Sequence, residues 1–186
     1  GIGDWTDDGG DTLALMAMDE PWTVSSSVNH TPYGKYCYGI AEEGLPYPSN
    51  SCGSLTTPFL ELEGDSPMLS YSVSYNVENG WDGVVAELSQ NGSDFTAITP
   101  MEGYPGSFAY TGNPPINRCG FGASQGAFSG PKLNDGLTSW ALFSHDLSSL
   151  KGKTIKVRWR FSSDPASEYD GFFIDDIKIT GANLRA

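Results

Sequence analysis

The sequence is short of positive charge, and this limits the partners that the protein can bind. Only 10 lysine and arginine residues stand against 23 aspartate and glutamate residues, which gives a formal net charge of -13 at pH 7. A chain of this charge repels the phosphate backbone of nucleic acids and the surface of anionic membranes. We therefore predict that neither nucleic acid nor a membrane surface is a partner.

Long apolar runs are missing as well. No stretch approaches the roughly 18 consecutive apolar residues that a membrane-spanning helix requires, so no membrane insertion is predicted. The chain begins at Gly1, without an initiator methionine or a charged and then apolar leader. We expect it to be a processed piece of a larger precursor, with neighbouring domains.

Residues that carry catalytic chemistry are few. The two histidines, His30 and His145, lie outside any His-Glu-x-x-His motif and away from any Gly-x-Ser-x-Gly turn, and we expect His145 to be a turn residue. A glycoside hydrolase needs a pair of carboxylates, and nothing marks two of the acidic residues as such a pair. We predict that the chain is not an enzyme, with glycoside hydrolysis as the weakest alternative.

Good helix formers are scarce, and strand patterns are clear instead. Glycine and proline contribute 23 and 12 residues, and both are poor in helix interiors. Residues 67–77 and 153–162 alternate apolar and polar side chains at a period of two, which is typical of half-buried strands. Asn91-Gly92, after a predicted strand at 83–89, is a strong hairpin signal because both residues tolerate positive φ.

These patterns predict an all-β protein, a two-sheet antiparallel jelly-roll sandwich that spans residues 1–186 as a single domain. Residues 1–55 are the hardest to assign, and we expect an extended edge segment there. Residues 94–99 should pair back in the hairpin, and residues 101–135 should carry a short strand at 121–128 and a functional or exposed surface. The predicted core consists of Leu69, Tyr71, Val73, Tyr75, Val84, Ala86, Leu88, Ile155, Val157, Trp159, Phe161, Ile177 and Ile179.

The cysteines fit an oxidising compartment, and we expect a secreted, extracellular protein. There are 3 of them, an odd number. A disulfide between Cys37 and Cys52 would close a loop of about 15 residues, for which the chain-entropy model gives roughly 3 kcal/mol of stabilisation. We predict this disulfide, with Cys119 bonded to neither. Pairing of Cys119 with Cys37 or with Cys52 stays open as the alternative.

Aspartates near both ends of the chain suggest a cation site. The opening segment contains Asp4, Asp7, Asp8 and Asp11. Near the other end, strand alternation places Asp175 on the face of Ile177 and Asp176 on the opposite face, so one of these carboxylates lies on the apolar side. A buried carboxylate is costly unless it binds a cation or is fully hydrogen-bonded. The alternatives are a turn cap or an ion pair with Arg158 or Arg160.

Several segments follow one another in the order of a known family. They are Ser54–Pro58, Leu69–Tyr71, Trp81–Ser89 with its Trp-Asp-Gly, Trp140–Leu147, Ile155–Phe161 with Asp164, and Gly171–Ile177 with its Ile-Asp-Asp-Ile. Over about residues 52 to 180, this order resembles the MAM-like and adhesin-like jelly-roll modules of secreted bacterial proteins, as in immune inhibitor A-type metallopeptidases and cleaved adhesin domains.

The resemblance implies a jelly roll with a structural calcium ion between the chain start and the last strand. Calcium accepts 6 to 8 oxygen ligands with loose geometry, and it would relieve the repulsion between acidic groups at the two ends. Carried onto this sequence, the resemblance implies that Asp175 or Asp176 binds calcium together with carboxylates from the opening segment. We expect these to be one or more of Asp4, Asp7, Asp8 and Asp11.

The function that these features predict is that of a non-catalytic accessory or adhesin-like binding module. Exposed aromatic rings stack on sugar faces or fill partner pockets, so we expect binding to carbohydrate or to a cell-surface or matrix protein. The candidate binding residues are Tyr33, Tyr36, Tyr38, Tyr47, Tyr104 and Tyr110. Each of these rings has loop packing over the core as its alternative role. The alternative function is a purely structural spacer domain of a secreted metallopeptidase.

Overall fold

The computed structural model describes residues 3–7, 15–26, 36–41, 45–130, 140–166 and 169–185. Within these ranges the only helix is one 3₁₀ turn at Ser148–Leu150, and the rest of the regular structure is β-strand. No helix among these residues has the length and apolarity to cross a membrane. The antiparallel sheets confirm the prediction of an all-β sandwich.

The strands follow one another along the whole described chain. They are β1 (Trp5–Asp7), β2 (Ala17–Met18), β3 (Thr23–Ser25), β4 (Cys37–Gly39), β5 (Cys52–Thr56), β6 (Leu60–Leu62), β7 (Met68–Asn76), β8 (Gly83–Ser89), β9 (Thr96–Ala97), β10 (Gly106–Ser107), β11 (Gly126–Ala127), β12 (Ala141–Asp146), β13 (Thr154–Ser162), β14 (Gly171–Ile179) and β15 (Ala182–Leu184).

Two antiparallel sheets form the sandwich. The first has the order β12-β7-β14-β4-β3, with β1 also paired to β14. The second has the order β15-β6-β13-β5-β2, with β8 on the other edge of β13 and β9 beyond β8. Strands β10 and β11 form a separate ribbon. The opening segment therefore contributes strands to both sheets, because β1 and β3 lie in the first and β2 lies in the second.

The core lies between the two sheets, and period-two alternation selects its residues. On β13 buried apolar residues alternate with the half-buried Lys156, Arg158 and Arg160. On β7 every second residue is a buried apolar side chain, and Ser72 and Ser74 on its other face are buried as well. All of the residues predicted for the core are buried in one cluster, which confirms that prediction. Each large apolar side chain that is fully buried stabilises the fold by roughly 1.5–3 kcal/mol, so these two long strands anchor the sandwich.

A bulge on β14 corrects the predicted alternation around the paired aspartates. The register against β7 shifts by one residue between Asp175 and Lys178, and Asp176 has a left-handed φ of 52°. The extra residue puts Ile177 on the same core-facing side as Ile174, and both are fully buried in the main cluster. Asp175 therefore does not share a face with Ile177, because strict period-two alternation fails at a bulge.

The turn after β8 is longer than the predicted two-residue hairpin. Only Gly92 of the Asn91-Gly92 pair has positive φ. The Oδ1 atom of Asn91 instead accepts hydrogen bonds from the backbone N–H groups of Ser93 and Asp94, both at 2.8 Å. This side-chain turn widens the loop, so that β9 is confined to Thr96–Ala97.

The predicted disulfide between Cys37 and Cys52 is wrong. Cys52 is bonded to Cys119, with a Cα–Cα distance of 5.1 Å, and Cys37 is buried outside this bond. Cys37 lies on β4 of the first sheet and Cys52 on β5 of the second. Packed sheets are about 10 Å apart, which exceeds the Cα separation that a disulfide spans. The loop that carries Cys119 lies instead beside β13, since its backbone N–H donates to Ser162 Oγ at 2.9 Å.

Candidate functional site

An aromatic pair lies in the loops at one end of the sandwich. Trp81 stands in the loop between β7 and β8, and its ring centroid is 5.7 Å from that of Tyr110 at a tilt of 38°. Tyr110 is 55% exposed. The backbone N–H of Tyr110 donates to the carbonyl oxygen of Gly80 at 3.1 Å. We call Trp81 and Tyr110 the aromatic pair.

The backbone beneath the aromatic pair is held by specific contacts. Gly80 has a φ of 81° and lies against the Tyr110 ring, where a Cβ atom would collide with the ring, so this position favours glycine. The N–H of Gly80 donates to Ser129 Oγ at 2.9 Å, and that hydroxyl donates to the carbonyl of Asp82 at 2.6 Å. Both sides of the Trp81 backbone are therefore fixed to the buried Ser129.

Three carboxylates lie together below this loop. Glu78, Asp82 and Asp164 each offer an oxygen within 4.8 Å of the others, and we call them the acidic cluster. Asp82 is fully buried, and its two oxygens accept hydrogen bonds from the backbone N–H of Asp164 at 2.8 Å and from the hydroxyl of Tyr47 at 2.5 Å. The cluster joins the loop after β7 to the loop after β13.

Burial raises the pKa of Asp82, one member of the acidic cluster. Desolvation raises the pKa of Asp82 to about 8. Hydrogen bonds from Tyr47 and Asp164 lower this pKa, but their effect is smaller. Desolvation and the bond to Asp82 raise the pKa of Tyr47 well above its ordinary value. A buried divalent cation reverses such shifts because it stabilises the ionised carboxylate. Carboxylate oxygens are the ligands that hard cations prefer, so this cluster could bind a metal ion.

Two of the predicted aspartates of the chain start, Asp4 and Asp7, lie near the last long strand. β1 pairs with β14, with Asp7 opposite Ile177. Asp7 is 5% exposed and accepts hydrogen bonds from the hydroxyl of Tyr38, 2.9 Å from each carboxylate oxygen. Asp4 accepts the N–H of Gly181 at 3.1 Å. Asp8 and Asp11 lie outside the described residues.

The two predicted aspartates of β14 differ in their surroundings. Asp175 is fully buried, and its Oδ1 accepts the backbone N–H of Asp176 at 2.8 Å, a bond that supports the bulge. Asp176 lines a pocket of about 190 Å³ together with Asp7. The alternative of an ion pair with Arg158 or Arg160 is wrong, since both arginines bind Glu87 on the other sheet.

The predicted binding tyrosines are scattered over different environments. Tyr38 and Tyr47 are at most 1% exposed, so they cannot stack on a ligand, and their prediction as surface residues is wrong. Tyr104 is half-buried, and its hydroxyl donates to the carbonyl of Ile98 at 2.6 Å. Tyr36 and Tyr110 are exposed. Tyr33 lies outside the described residues.

Sequence reasoning missed several members of this site. Trp81, Asp82 and Asp164 were part of the segments that carry the family resemblance, but their pattern gave no sign that they lie together. Asp82 and Asp164 are 82 positions apart in sequence, and the backbone N–H of Asp164 donates to the Asp82 carboxylate in the fold. His145, expected in a turn, instead lies inside β12 and is buried, with its Nε2 2.8 Å from the Tyr71 hydroxyl.

Comparison with known proteins supports the fold. The sequence matches no protein-family model and no curated protein. Among solved structures, the K3 cleaved adhesin domain of Lys-gingipain from Porphyromonas gingivalis W83 has a TM-score of 0.54 at 15% identity, covering 96% of this chain and 97% of that one. The K1 cleaved adhesin domain of the same protein has a TM-score of 0.52 at 14% identity, covering 96% and 98%.

A carbohydrate-binding module has a similar fold. TmCBM61, solved in complex with β-1,4-galactotriose, has a TM-score of 0.50 at 12% identity, covering 89% of this chain and 86% of that one. At such identities the similarity concerns the fold, and the narrower resemblance to modules of immune inhibitor A-type metallopeptidases is not confirmed by it. The chain has the β-sandwich fold of cleaved adhesin domains and carbohydrate-binding modules.

Proposed function

We propose that the protein is a non-catalytic binding module of a secreted protein and that it binds carbohydrate through the aromatic pair. The observation that carries this proposal is the exposed ring of Tyr110 packed against Trp81 on a fixed loop. Aromatic rings bind the apolar faces of sugars. A loop that is already ordered loses little conformational entropy on binding, and the contacts of Gly80 and Ser129 supply that order.

The fold and the disulfide support the same function. TmCBM61 was solved with a galactose oligosaccharide, and the adhesin domains share the sandwich. A disulfide between Cys52 and Cys119 fits an extracellular location, because cytosolic thiols are kept reduced. An extracellular protein surface is the other partner that exposed aromatic residues fit, and it is an outcome of the experiment below.

A screen of the whole chain against a glycan array and insoluble polysaccharides tests the proposal. We expect retention on at least one carbohydrate and its loss in a Trp81→Ala, Tyr110→Ala double variant. Tyr36→Ala removes another exposed tyrosine and should retain binding. Retention by none of the carbohydrates would reject carbohydrate binding, and an extracellular protein surface or a pure spacer role would then be left.

We also propose that the binding module holds calcium. The acidic cluster supplies three carboxylates from two loops, next to the Trp81 backbone, so a cation there would brace the loop that presents the aromatic pair. Extracellular sites bind calcium with Kd values of about 10⁻⁴ to 10⁻³ M. The second proposed location is the site at the chain start that the sequence analysis predicts. There Asp7 and Asp176 line one pocket, and Asp175 is adjacent to Asp176 in sequence.

Thermal unfolding with calcium and with a chelator distinguishes the two locations. Calcium that binds only the folded state raises the midpoint by mass action. If the ion binds the acidic cluster, Asp164→Asn should remove the calcium-dependent shift, whereas the Asp175→Asn, Asp176→Asn double variant should keep it. The reverse result would place the ion at the chain start. An unchanged midpoint in the parent protein would reject calcium at both places.

A further inference from the structure

Two asparagines of the chain are followed by glycine, Asn79 by Gly80 and Asn91 by Gly92. In such a pair the backbone nitrogen of the glycine can attack the side-chain carbonyl carbon, Cγ, of the asparagine. Glycine has no Cβ atom that would hinder this approach. The two pairs are therefore candidate positions for spontaneous deamidation, a reaction that changes asparagine into an acidic residue.

Deamidation of an asparagine that precedes glycine has two steps. In the first, a bond forms between the glycine nitrogen and Cγ, the bond between Cγ and Nδ2 breaks, and ammonia leaves with the proton of the backbone N–H. In the second, water opens the resulting succinimide ring. Attack of water at Cγ gives aspartate. Attack at the backbone carbonyl gives isoaspartate, whose backbone runs through the side-chain CH2 group and is longer by one carbon atom.

The side-chain amide of Asn91 is held by several hydrogen bonds. Its Oδ1 accepts the backbone N–H groups of Ser93 and Asp94, both at 2.8 Å, and the hydroxyl of Ser89 at 2.9 Å. Its Nδ2 donates to Asp94 Oδ2 at 2.7 Å. The amide must lose these bonds before Cγ can turn toward the nitrogen of Gly92, so the turn protects Asn91.

The side chain of Asn79 is exposed and lacks such restraints. Its amide makes no hydrogen bond within the part of the chain that the structure describes, and it packs against the backbone of Gly130. Asn79 lies in a turn that is closed by the N–H of Trp81, which donates to the carbonyl oxygen of Glu78 at 3.2 Å. The Asn79 amide can therefore rotate toward Gly80 without the loss of a hydrogen bond.

The attacking nitrogen is restrained in both pairs. The N–H of Gly80 donates to Ser129 Oγ at 2.9 Å, and the N–H of Gly92 donates to Ser89 Oγ at 2.8 Å. Either nitrogen can react only when its bond opens locally, so the rate follows the population of the open loop. Because the two pairs share this restraint, the difference between them lies in the side-chain amide.

We propose that Asn79 is a modification site that deamidates spontaneously in the folded protein, that Asn91 is protected, and that the bond from Gly80 to Ser129 limits the rate at Asn79. The modification is a conversion to aspartate and isoaspartate, and water is its only co-reactant. The reaction does not depend on carbohydrate binding.

The isoaspartate product would disturb the loop of the aromatic pair. It lengthens the backbone directly before Gly80, which lies against the Tyr110 ring and accepts the N–H of Tyr110 at 3.1 Å. It also adds a carboxylate next to Glu78, a member of the acidic cluster. We therefore expect the modified protein to lose carbohydrate binding, and this consequence rests on the proposed function.

Incubation of the folded whole chain at mildly alkaline pH, followed by peptide mapping with mass spectrometry, tests the proposal. The peptide with Asn79 should gain the mass of an amide-to-carboxylate exchange at least about fivefold faster than the peptide with Asn91, the factor that one net hydrogen bond represents. In denaturant the two rates should become similar, because both asparagines precede glycine. Labelling with an isoaspartyl methyltransferase should identify the isoaspartate product.

Two matched variants test the restraints separately. Ser129→Ala frees the nitrogen of Gly80 and should accelerate the reaction at Asn79 by about fivefold, with no change at Asn91. Asp94→Ala removes the acceptor of Asn91 Nδ2 and should accelerate the reaction at Asn91 alone. Equal rates at the two asparagines in the folded protein, no reaction at Asn79, or no acceleration by Ser129→Ala would overturn the proposal.

The effect on binding is measured on the isoaspartate form after its separation by ion exchange. With a carbohydrate that the parent protein retains, this form should lose at least about tenfold in affinity. Asn79→Asp adds the charge without lengthening the backbone and should keep the affinity. Equal affinity of the isoaspartate form would reject the expected consequence. A parent protein that binds no carbohydrate would reject the proposed function alone, since the deamidation rates involve no ligand.

Discussion

The hydroxyl of Tyr47 donates a 2.5 Å hydrogen bond to the fully buried carboxyl group of Asp82. The same hydroxyl accepts the backbone N–H of Glu78 at 3.0 Å. Tyr47 therefore ties the segment before β5 to the loop that carries Trp81. The side chain that sequence reasoning offered as a surface ligand contact is in fact an internal support of the candidate site.

Removal of this hydroxyl should destabilise the fold. In Tyr47→Phe, the Asp82 carboxyl and the Glu78 N–H each lose a partner, and a buried polar group without its hydrogen bond costs about 1–3 kcal/mol. We expect urea unfolding to show a loss of about 2 kcal/mol. Tyr110→Phe removes an exposed hydroxyl and should change stability by less than about 0.5 kcal/mol. Equal effects of the two variants would contradict the role of Tyr47.

His145 should make stability depend on pH. Desolvation lowers the pKa of His145 to about 4, below the value of about 6.5 in an unfolded chain. Between these values the unfolded state binds a proton that the folded state does not, so stability falls as the pH decreases. The stability that depends on a neutral His145 is fully present above about pH 6.5. Between that pH and pH 4, the free energy of unfolding falls by about 3 kcal/mol.

The His145 contribution can be isolated by comparison with a variant. His145→Gln removes the titrating ring and keeps a partner for the Tyr71 hydroxyl, which lies 2.8 Å from Nε2 in the parent protein. As the pH falls from 6.5 to 4, the free energy of unfolding of the parent protein should decrease more than that of the variant. Parallel stability curves over this range would show that the folded protein accepts the proton without cost.

The disulfide between Cys52 and Cys119 should stabilise the loop that carries Tyr110. These residues are 67 positions apart, and the chain-entropy model gives about 4 kcal/mol for a loop of that length. We expect a Cys52→Ala, Cys119→Ala double variant to lose about this much stability. Peptide mapping without reduction should recover the Cys52 and Cys119 peptides joined. A peptide that links Cys37 to either of them would contradict the assignment.

The sequence was sufficient for the parts of the fold that depend on local alternation. Leu69 and Trp159 follow a strict period of two, so their burial could be predicted from β7 and β13 alone. Ile177 is buried as predicted, but for a different reason, because the bulge at Asp176 shifts the alternation by one residue. The residue types in that segment do not predict a bulge, because the left-handed backbone conformation of Asp176 depends on tertiary contacts.

The candidate site depends on contacts between distant segments, and sequence patterns do not encode these. Trp81 and Tyr110 meet because the backbone N–H of Tyr110, between β10 and β11, donates to the carbonyl oxygen of Gly80, which precedes Trp81 in the loop after β7. Cys52 finds Cys119 because β5 pairs with β13, next to which the Cys119 loop lies. Which of these side chains are exposed, and which lie close together, depends on tertiary packing. The order of residues along the chain does not predict that packing.

The central claim is that the aromatic pair binds carbohydrate, and calorimetry of single variants tests it most directly. With a carbohydrate that the parent protein retains, Trp81→Ala should weaken the affinity by at least about tenfold, as expected for a buried aromatic contact at the centre of a site. Trp81→Phe keeps a ring and should recover part of the affinity. Equal affinities of the parent protein and Trp81→Ala for that carbohydrate would contradict the claim.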